Sequence, residues 1–252
     1  MTAPEQQADW DRQWAHEPAD LEAPAEEKRT PRWHAQERVV EETFGGFEGL
    51  EVIEIGAGRG TNGLLYGLNG ARVTLLDRSE TALAQAAELY AHHRVEFEPV
   101  IADLFELPSE LVGRFDVSMS FGLCEHFLQE RRLGVVRAHL DLLRPEGVAM
   151  LGVPNRYGVV YRLWIKTLMM RGSWPLGTEV PFSERELRRL ASEAGGVPLA
   201  ASYGSFTASV VNHGVNQVLF KAGRRGLRIP QVQLPGLDRL GYELLLPVVK
   251  PR

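Results

Sequence analysis

The segment VIEIGAGRGTNG, Val52 to Gly63, carries glycines in two overlapping spacings. Counted from Gly56 the pattern is G-x-G-x-G. Counted from Gly58 it is G-x-G-x-x-G, the spacing of a dinucleotide loop. In nucleotide-binding α/β folds the first glycine follows the strand directly and makes the tight turn into the helix. The apolar run ends at Ile55, so Gly56 is that residue, and Gly58 and Gly60 follow in its frame. A dinucleotide frame starting there would need glycine where Thr61 stands, and the frame from Gly58 begins too late. Asp77 closes the next apolar run, 21 residues past Gly56, where a carboxylate can accept both hydroxyls of a ribose. Asp103 follows the third run in VIADLFELP, within reach of an adenine amino group. His126, in SFGLCEH after the fourth run, is the best available base, because imidazole ordinarily titrates near pH 6.5. It could equally cap the following helix or line a pocket. Its neighbour Glu125 points away from it if the two share a helix. The lone cysteine, Cys124, excludes an internal disulfide framework and a Cys-pair metal site, and reads as a packed thiol.

These residues need a scaffold that brings strand ends together. Short Val-, Ile- and Leu-rich runs at Leu50–Ile55, Arg72–Leu76, Val95–Ile101, Phe115–Phe121 and Val148–Val153 have the near-continuous apolar character of parallel strands buried on both faces. Helical periodicity fills the gaps: Leu83, Ala86, Ala87 and Tyr90 share one face, and Leu133, Val136, Leu140 and Leu143 another. Alternation of this kind predicts a doubly wound α/β sheet with helices on both faces. Thr30 followed by Pro31 predicts a helix start, and Ser183 with Glu186 a capping box that Gly195-Gly196 terminates. The runs VPLAASY and VNQVLF, joined by a polar loop, predict an antiparallel C-terminal hairpin. The tail after residue 222, with its spaced prolines, reads as irregular.

Composition bounds the setting. A chain of 252 residues, 44% hydrophobic and 24% charged, can bury one substantial core. Residues 1–30 hold eight acids and three bases, and residues 221–252 hold seven bases and two acids. Neither end interleaves aromatics with a dense basic run, so a nucleic-acid groove is not indicated. No apolar stretch approaches the ~20 residues that span a bilayer, and the polar start lacks a signal pattern. The expected setting is cytoplasmic.

Taken together, EIGAGRG, LLD ending at Asp77, AD at 102–103, FDVSMSFGLCEHF and LRPEGVAMLGVPN resemble the class I S-adenosylmethionine (SAM)-dependent methyltransferases, in particular their small-molecule branch. The resemblance covers about residues 48–222 and implies a Rossmann-like, seven-stranded sheet. It divides the chain into an N-terminal lid and leading helix (1–47), the SAM-binding domain (48–222) with a cap insertion at about 156–182, and a tail (223–252). It implies Glu54 and Gly56 near the methionine end of SAM, Asp77 on the ribose and Asp103 by the adenine. Ala57, Gly58, Gly60, Arg78, Leu104, Ser120 and Phe121 complete the implied cofactor set.

The implied activity is methyl transfer to a small molecule, most simply to a hydroxyl oxygen of an apolar or aromatic metabolite. N- and C-methylation also fit, as does a scaffold or partner subunit that binds SAM without methylating. Methyl transfer is an in-line displacement for which positioning supplies roughly 7–11 kcal/mol. A base such as His126 would add about 10²–10⁴-fold for an acceptor that loses a proton. SFGL lacks the D/N-P-P-Y segment of the adenine and glutamine amino methyltransferases, and Cys124 lacks the proline of the cytosine C5 enzymes. Only Asn155 offers a ligand at this edge, so no metal is expected. The Trp10/Trp14/Trp33 segment and the helix over 157–171 are expected to flank the site, with Trp14, Tyr157 and Trp164 on the acceptor. Core packing or a homodimer contact would use the same residues, and a peripheral membrane contact would use Trp164, Leu168 and the stripe at Arg162 and Lys166.

Overall fold

The computed structural model describes residues 10–15, 20–128, 130–172, 177 and 179–252. Parts of the acidic N-terminal stretch (1–9, 16–19) and of the expected cap insertion (173–176, 178) lie outside the described residues. Five parallel strands form the body of one sheet: β1 (Glu51–Ile55), β2 (Arg72–Asp77), β3 (Phe97–Ile101), β4 (Phe115–Phe121) and β5 (Leu143–Pro154). Two-residue strands β6 (Val197–Pro198) and β7 (Ser202–Tyr203) and the longer β8 (Glu243–Val249) complete it. The order is β3-β2-β1-β4-β5-β8-β6, with β7 also on β8.

The alternation of side chains along each strand produces two cores. On one face Ile53, Ile55, Ala149, Leu151, Val153, Leu244 and Leu246 pack against Val135, Val136, Leu187 and Leu190. Those four residues belong to α6 (Glu130–Leu142) and α8 (Glu184–Glu193). On the other face Val52, Val73, Leu75, Val117, Met119, Val148 and Met150 pack against Trp33, Val40, Leu64, Tyr66 and Leu89. Those come from α3 (Pro31–Phe44), α4 (Thr61–Leu68) and α5 (Glu80–His93). β1, β2, β4 and β5 are largely buried on both faces, which is why those runs read as continuously apolar, whereas β3, at the sheet edge, is half-exposed, against the expectation for its run. Helix starts are set by side chains: Thr30 accepts from Trp33 N at 3.0 Å, Ser79 from Ala82 N at 3.1 Å and Ser183 from Glu186 N at 3.2 Å. Because β1 connects outward to β2 and β3 while β4 and β5 lie on its other side, the strand order reverses at β1/β4. A crevice opens there beyond the carboxyl ends.

The C-terminal region corrects the expected hairpin and the expected domain end at residue 222. VNQVLF is helical. Residues 206–221 run as α9 (Phe206–Val210), a π-helical turn (Val211–Val215) and α10 (Asn216–Lys221). The antiparallel neighbour of β5 is β8, within the segment read as an irregular tail, with Met150 opposite Pro247. A proline is tolerated there because its missing N–H points away from β5. The Pro247 carbonyl accepts from Leu199 N at 2.9 Å, so this residue's backbone groups face the gap between β6 and β7. Trp33 is also reassigned: it is fully buried against Phe47 and Tyr66, part of the core and not of a lid.

Candidate active site

The four loop glycines divide into two roles. Gly56 and Gly58 have φ of 59° and 53° and line a cavity of about 470 Å³ at the carboxyl ends of the strands. Gly60 and Gly63 face inward, where a Cβ would come within 2.5 Å of Leu75 and 2.7 Å of the Tyr90 hydroxyl, respectively. They let α4 close on β2, and the Tyr90 hydroxyl donates to Gly60 O at 2.9 Å. Gly60 and Glu54, both expected on the cofactor, do not line the cavity. The Glu54 carboxylate lies beneath the loop and accepts from Gly63 N at 2.7 Å, and burial pushes its pKa up to about 8. The chain frame that matters to the cavity is the one starting at Gly56.

Asp77 ends β2 on the cavity wall. Its Oδ2 accepts from Gly58 N at 2.8 Å and its Oδ1 from Ser79 N at 2.9 Å, which fixes the carboxylate against the glycine loop. Burial raises its pKa, against the backbone N–H bonds from Ser79, Gly58 and Arg78. Asp103 sits one strand further along, its Oδ1 accepting from Phe105 N at 2.9 Å and its Oδ2 lying 3.5 Å from the Arg78 guanidinium. Ala57, Leu104 and Phe121 join them on the wall. Ser120 does not. It points from β4 into the core, where it donates to the His139 imidazole at 2.9 Å, and strand alternation leaves Phe121 to face the cavity. His139 is buried, bonded also to Val135 O, and burial lowers its pKa to about 4. Cys124 is packed beside Ser120, its Sγ 3.7 Å from the hydroxyl and its pKa pushed up to about 12 by burial.

The opposite end of the cavity is aromatic and acidic. His126, in the 3₁₀ turn Cys124–His126, lines it and meets the Trp10 ring edge-to-face at 5.0 Å. Residues 10–15 are helical and lie across the opening: a Cβ on Gly58 would come 2.7 Å from the Trp14 ring, and the Arg59 guanidinium is 5.3 Å from that ring. From α7 (Val159–Met170) the lining residue is Tyr161. The expected Tyr157 is exposed, and Trp164 packs at a tilt against Tyr161 and His213 outside the cavity wall. Tyr161 and Ile165 form the buried side of α7, whereas Tyr157 precedes the helix and Trp164 falls off that side.

Arg32, Glu125, Glu179, Tyr242 and Glu243 also line the cavity without having been anticipated. Arg32 donates to Glu27 at 2.8 Å through Nε and is ion-paired to Glu243. Only Glu125 was signalled, as His126's neighbour. Nothing local marks Arg32, and Glu243 belongs to the strand hidden in the tail.

The sequence matches the family described as "Methyltransferase domain" over residues 52–147. It is 31% identical over 121 residues to a ubiquinone biosynthesis O-methyltransferase from Leptothrix cholodnii, which is 46% of this chain and 49% of that protein. The chain thus spans about half the length of that relative. The fold aligns with a protein of echinomycin biosynthesis, associated with conversion of a disulfide bond into a thioacetal group. The TM-score is 0.62 at 21% identity, covering 93% of this chain and 85% of that one. It also aligns with magnesium protoporphyrin IX methyltransferase from Synechocystis PCC 6803 with bound S-adenosylhomocysteine, with a TM-score of 0.57 at 15% identity, covering 86% and 84%. At such identities the likeness is one of fold. With the glycine loop, the two strand-end aspartates and the antiparallel β8 all in place, the chain carries a methyltransferase-domain match over residues 52–147 within the Rossmann-like fold of the solved proteins it aligns with.

Proposed function

We propose that the cavity binds SAM along Gly56, Gly58, Asp77 and Asp103, and that the chain methylates a hydroxyl oxygen of a small apolar or aromatic molecule. The acceptor would be held between His126, Trp10, Trp14 and Tyr161. The observation that carries this reading is the meeting of both sets on one wall-to-wall cavity of about 470 Å³. The residues fit the cofactor. Gly56 and Gly58 present bare backbone to the cavity, and Asp77, which accepts from the backbone N–H groups of Gly58, Ser79 and Arg78, keeps lone-pair capacity for a ribose hydroxyl. Asp103 offers a carboxylate to an adenine amino group one strand on. When bound, SAM supplies an electrophilic sulfonium methyl group.

The chain's own contribution is orientation, exclusion of water and removal of a proton. The helical residues 10–15 cover the glycine loop and restrict water at the transfer point. His126 takes the acceptor's proton from the 3₁₀ turn after β4. Supporting the oxygen acceptor is the similarity to the Leptothrix O-methyltransferase. The test combines two measurements. Calorimetry with SAM, S-adenosylhomocysteine and NAD should give heat for the first two alone; NAD binding without SAM binding would end the reading. Radiolabelled methyl transfer to a panel of phenols and catechols should then fall about 10²–10⁴-fold in His126→Ala, with SAM affinity little changed. Equal loss of both makes His126 a pocket wall.

A further inference from the structure

The acceptor end of the cavity holds more buried carboxylate than cation. Glu27 and Glu243 share Arg32, which is therefore committed. Glu125 and Glu179 line the same cavity and bond no cation among the described residues. Glu125 is 3% exposed, and its Oε2 has no hydrogen-bond partner. Glu179 accepts one neutral donor, the Tyr161 hydroxyl, at 2.7 Å. Two further cations are used elsewhere: Arg131, which lines the cavity, lies over the Phe105 and Phe127 rings at 4.4 and 5.8 Å, and Arg132 pairs with Glu186 at 2.5 Å, donates to Val180 O at 2.8 Å and lies over the Phe182 ring at 3.3 Å. A buried carboxylate oxygen without a donor is costly and rare, and a cavity is where a ligand can supply the donor. Trp10, Tyr161 and Tyr242 add aromatic rings to the same end, groups that can attract a cation.

We propose that the methyl acceptor carries a protonated amine that docks on Glu125 and Glu179 against the Tyr161 ring. This rests on the methyltransferase reading and narrows it: the acceptor is an amine-bearing small molecule, its ammonium supplying the donors that Glu125 lacks. The amine is a handle for binding and leaves open an oxygen as the methylated atom. The chief competitor for Glu125 is the ammonium of SAM itself, so the measurement is made with that position filled.

The full chain, saturated with S-adenosylhomocysteine, is titrated with benzylamine and with benzyl alcohol, read by calorimetry or ligand-observed NMR. Benzylamine should bind at least about ten-fold more tightly, the scale of one charge-assisted hydrogen bond. In Glu125→Gln the two probes should become nearly equal while S-adenosylhomocysteine affinity is retained. Glu179→Gln should narrow the gap in the same direction. Equal binding in the unaltered chain, no benzylamine binding, a preference that survives both substitutions, or a Glu125→Gln loss confined to S-adenosylhomocysteine would each overturn the proposal. Failure of S-adenosylhomocysteine to bind the unaltered chain would instead remove the cofactor reading, and the probes can then be compared without it.

Discussion

At the scale of single residues, the site rests on carboxylates that do different work according to what reaches them. Asp77 is tied by the backbone N–H groups of Gly58, Ser79 and Arg78 and still lines the cavity, so Asp77→Ala removes both the proposed ribose contact and the clasp on Gly58. SAM affinity should fall by roughly 1–3 kcal/mol, about ten- to more than a hundred-fold, by calorimetry. An Asp77→Ala chain that binds SAM normally would displace the ribose assignment. Glu125 is the converse case. Burial, with Glu179 and Glu243 adding repulsion and Arg132 opposing it, raises its pKa from an ordinary 4.5 to about 8. Between those values the unfolded chain releases the proton while the folded chain keeps it. This contribution to stability is therefore complete below about pH 4.5 and is lost as pH rises through about 8. Glu125→Gln cannot titrate. In SAM-free protein its melting temperature should match the unaltered chain's near pH 4.5 and exceed it increasingly up to pH 8. A gap independent of pH would show that Glu125 is not held neutral by its surroundings.

At the scale of elements, the helical residues 10–15 and α2 (Ala23–Glu27) contribute differently. The first lies over the glycine loop through Trp14 and meets His126 through Trp10, while the second delivers the buried Glu27 to Arg32. Deleting residues 1–29 would remove both and confuse the two effects. Deleting residues 1–19 keeps α2 and should leave the melting temperature close to that of the full chain while severely reducing methyl transfer, since the cover over the site is gone. Limited proteolysis gives the complementary readout: cleavage near Trp14 should slow when SAM and acceptor are both present. Identical cleavage rates would shift the closing role to α7, whose Tyr161 already reaches the cavity.

At the scale of the whole molecule, β8 decides whether there is a sheet to carry the site. It pairs along seven residues with β5 and along its other edge with β6 and β7, and it contributes Leu244, Leu245, Leu246 and Val248 to the two cores. It also delivers Glu243 to Arg32 in the cavity. Ending the chain after residue 241 should therefore abolish cooperative thermal unfolding, followed by circular dichroism, because β5 loses its neighbour and a row of backbone hydrogen bonds. A truncated chain that melts as the full one does would mean that the tail is dispensable.

What the sequence determined by itself was local: strand runs with their burial, caps at Thr30 and Ser183, and the turn that starts at Gly56. Each depends on neighbours a few residues away, and the spacing to Asp77 and Asp103 followed because a parallel strand places its last residue at one edge of the sheet. What tertiary structure decided was which side of a wall each residue faces and which distant segment fills a gap. Glu54 and Gly60 belong to the cofactor motif, yet α4 packs over them and keeps them off the cavity. Ser120 and Phe121 are adjacent, and only the pleat of β4 tells them apart. VNQVLF has the residues of a strand, but the slot beside β5 goes to YELLLPVV, where Pro247 turns its missing N–H toward a broken edge. That competition is settled by pairing across about a hundred residues of chain, for which no local pattern in either segment is sufficient.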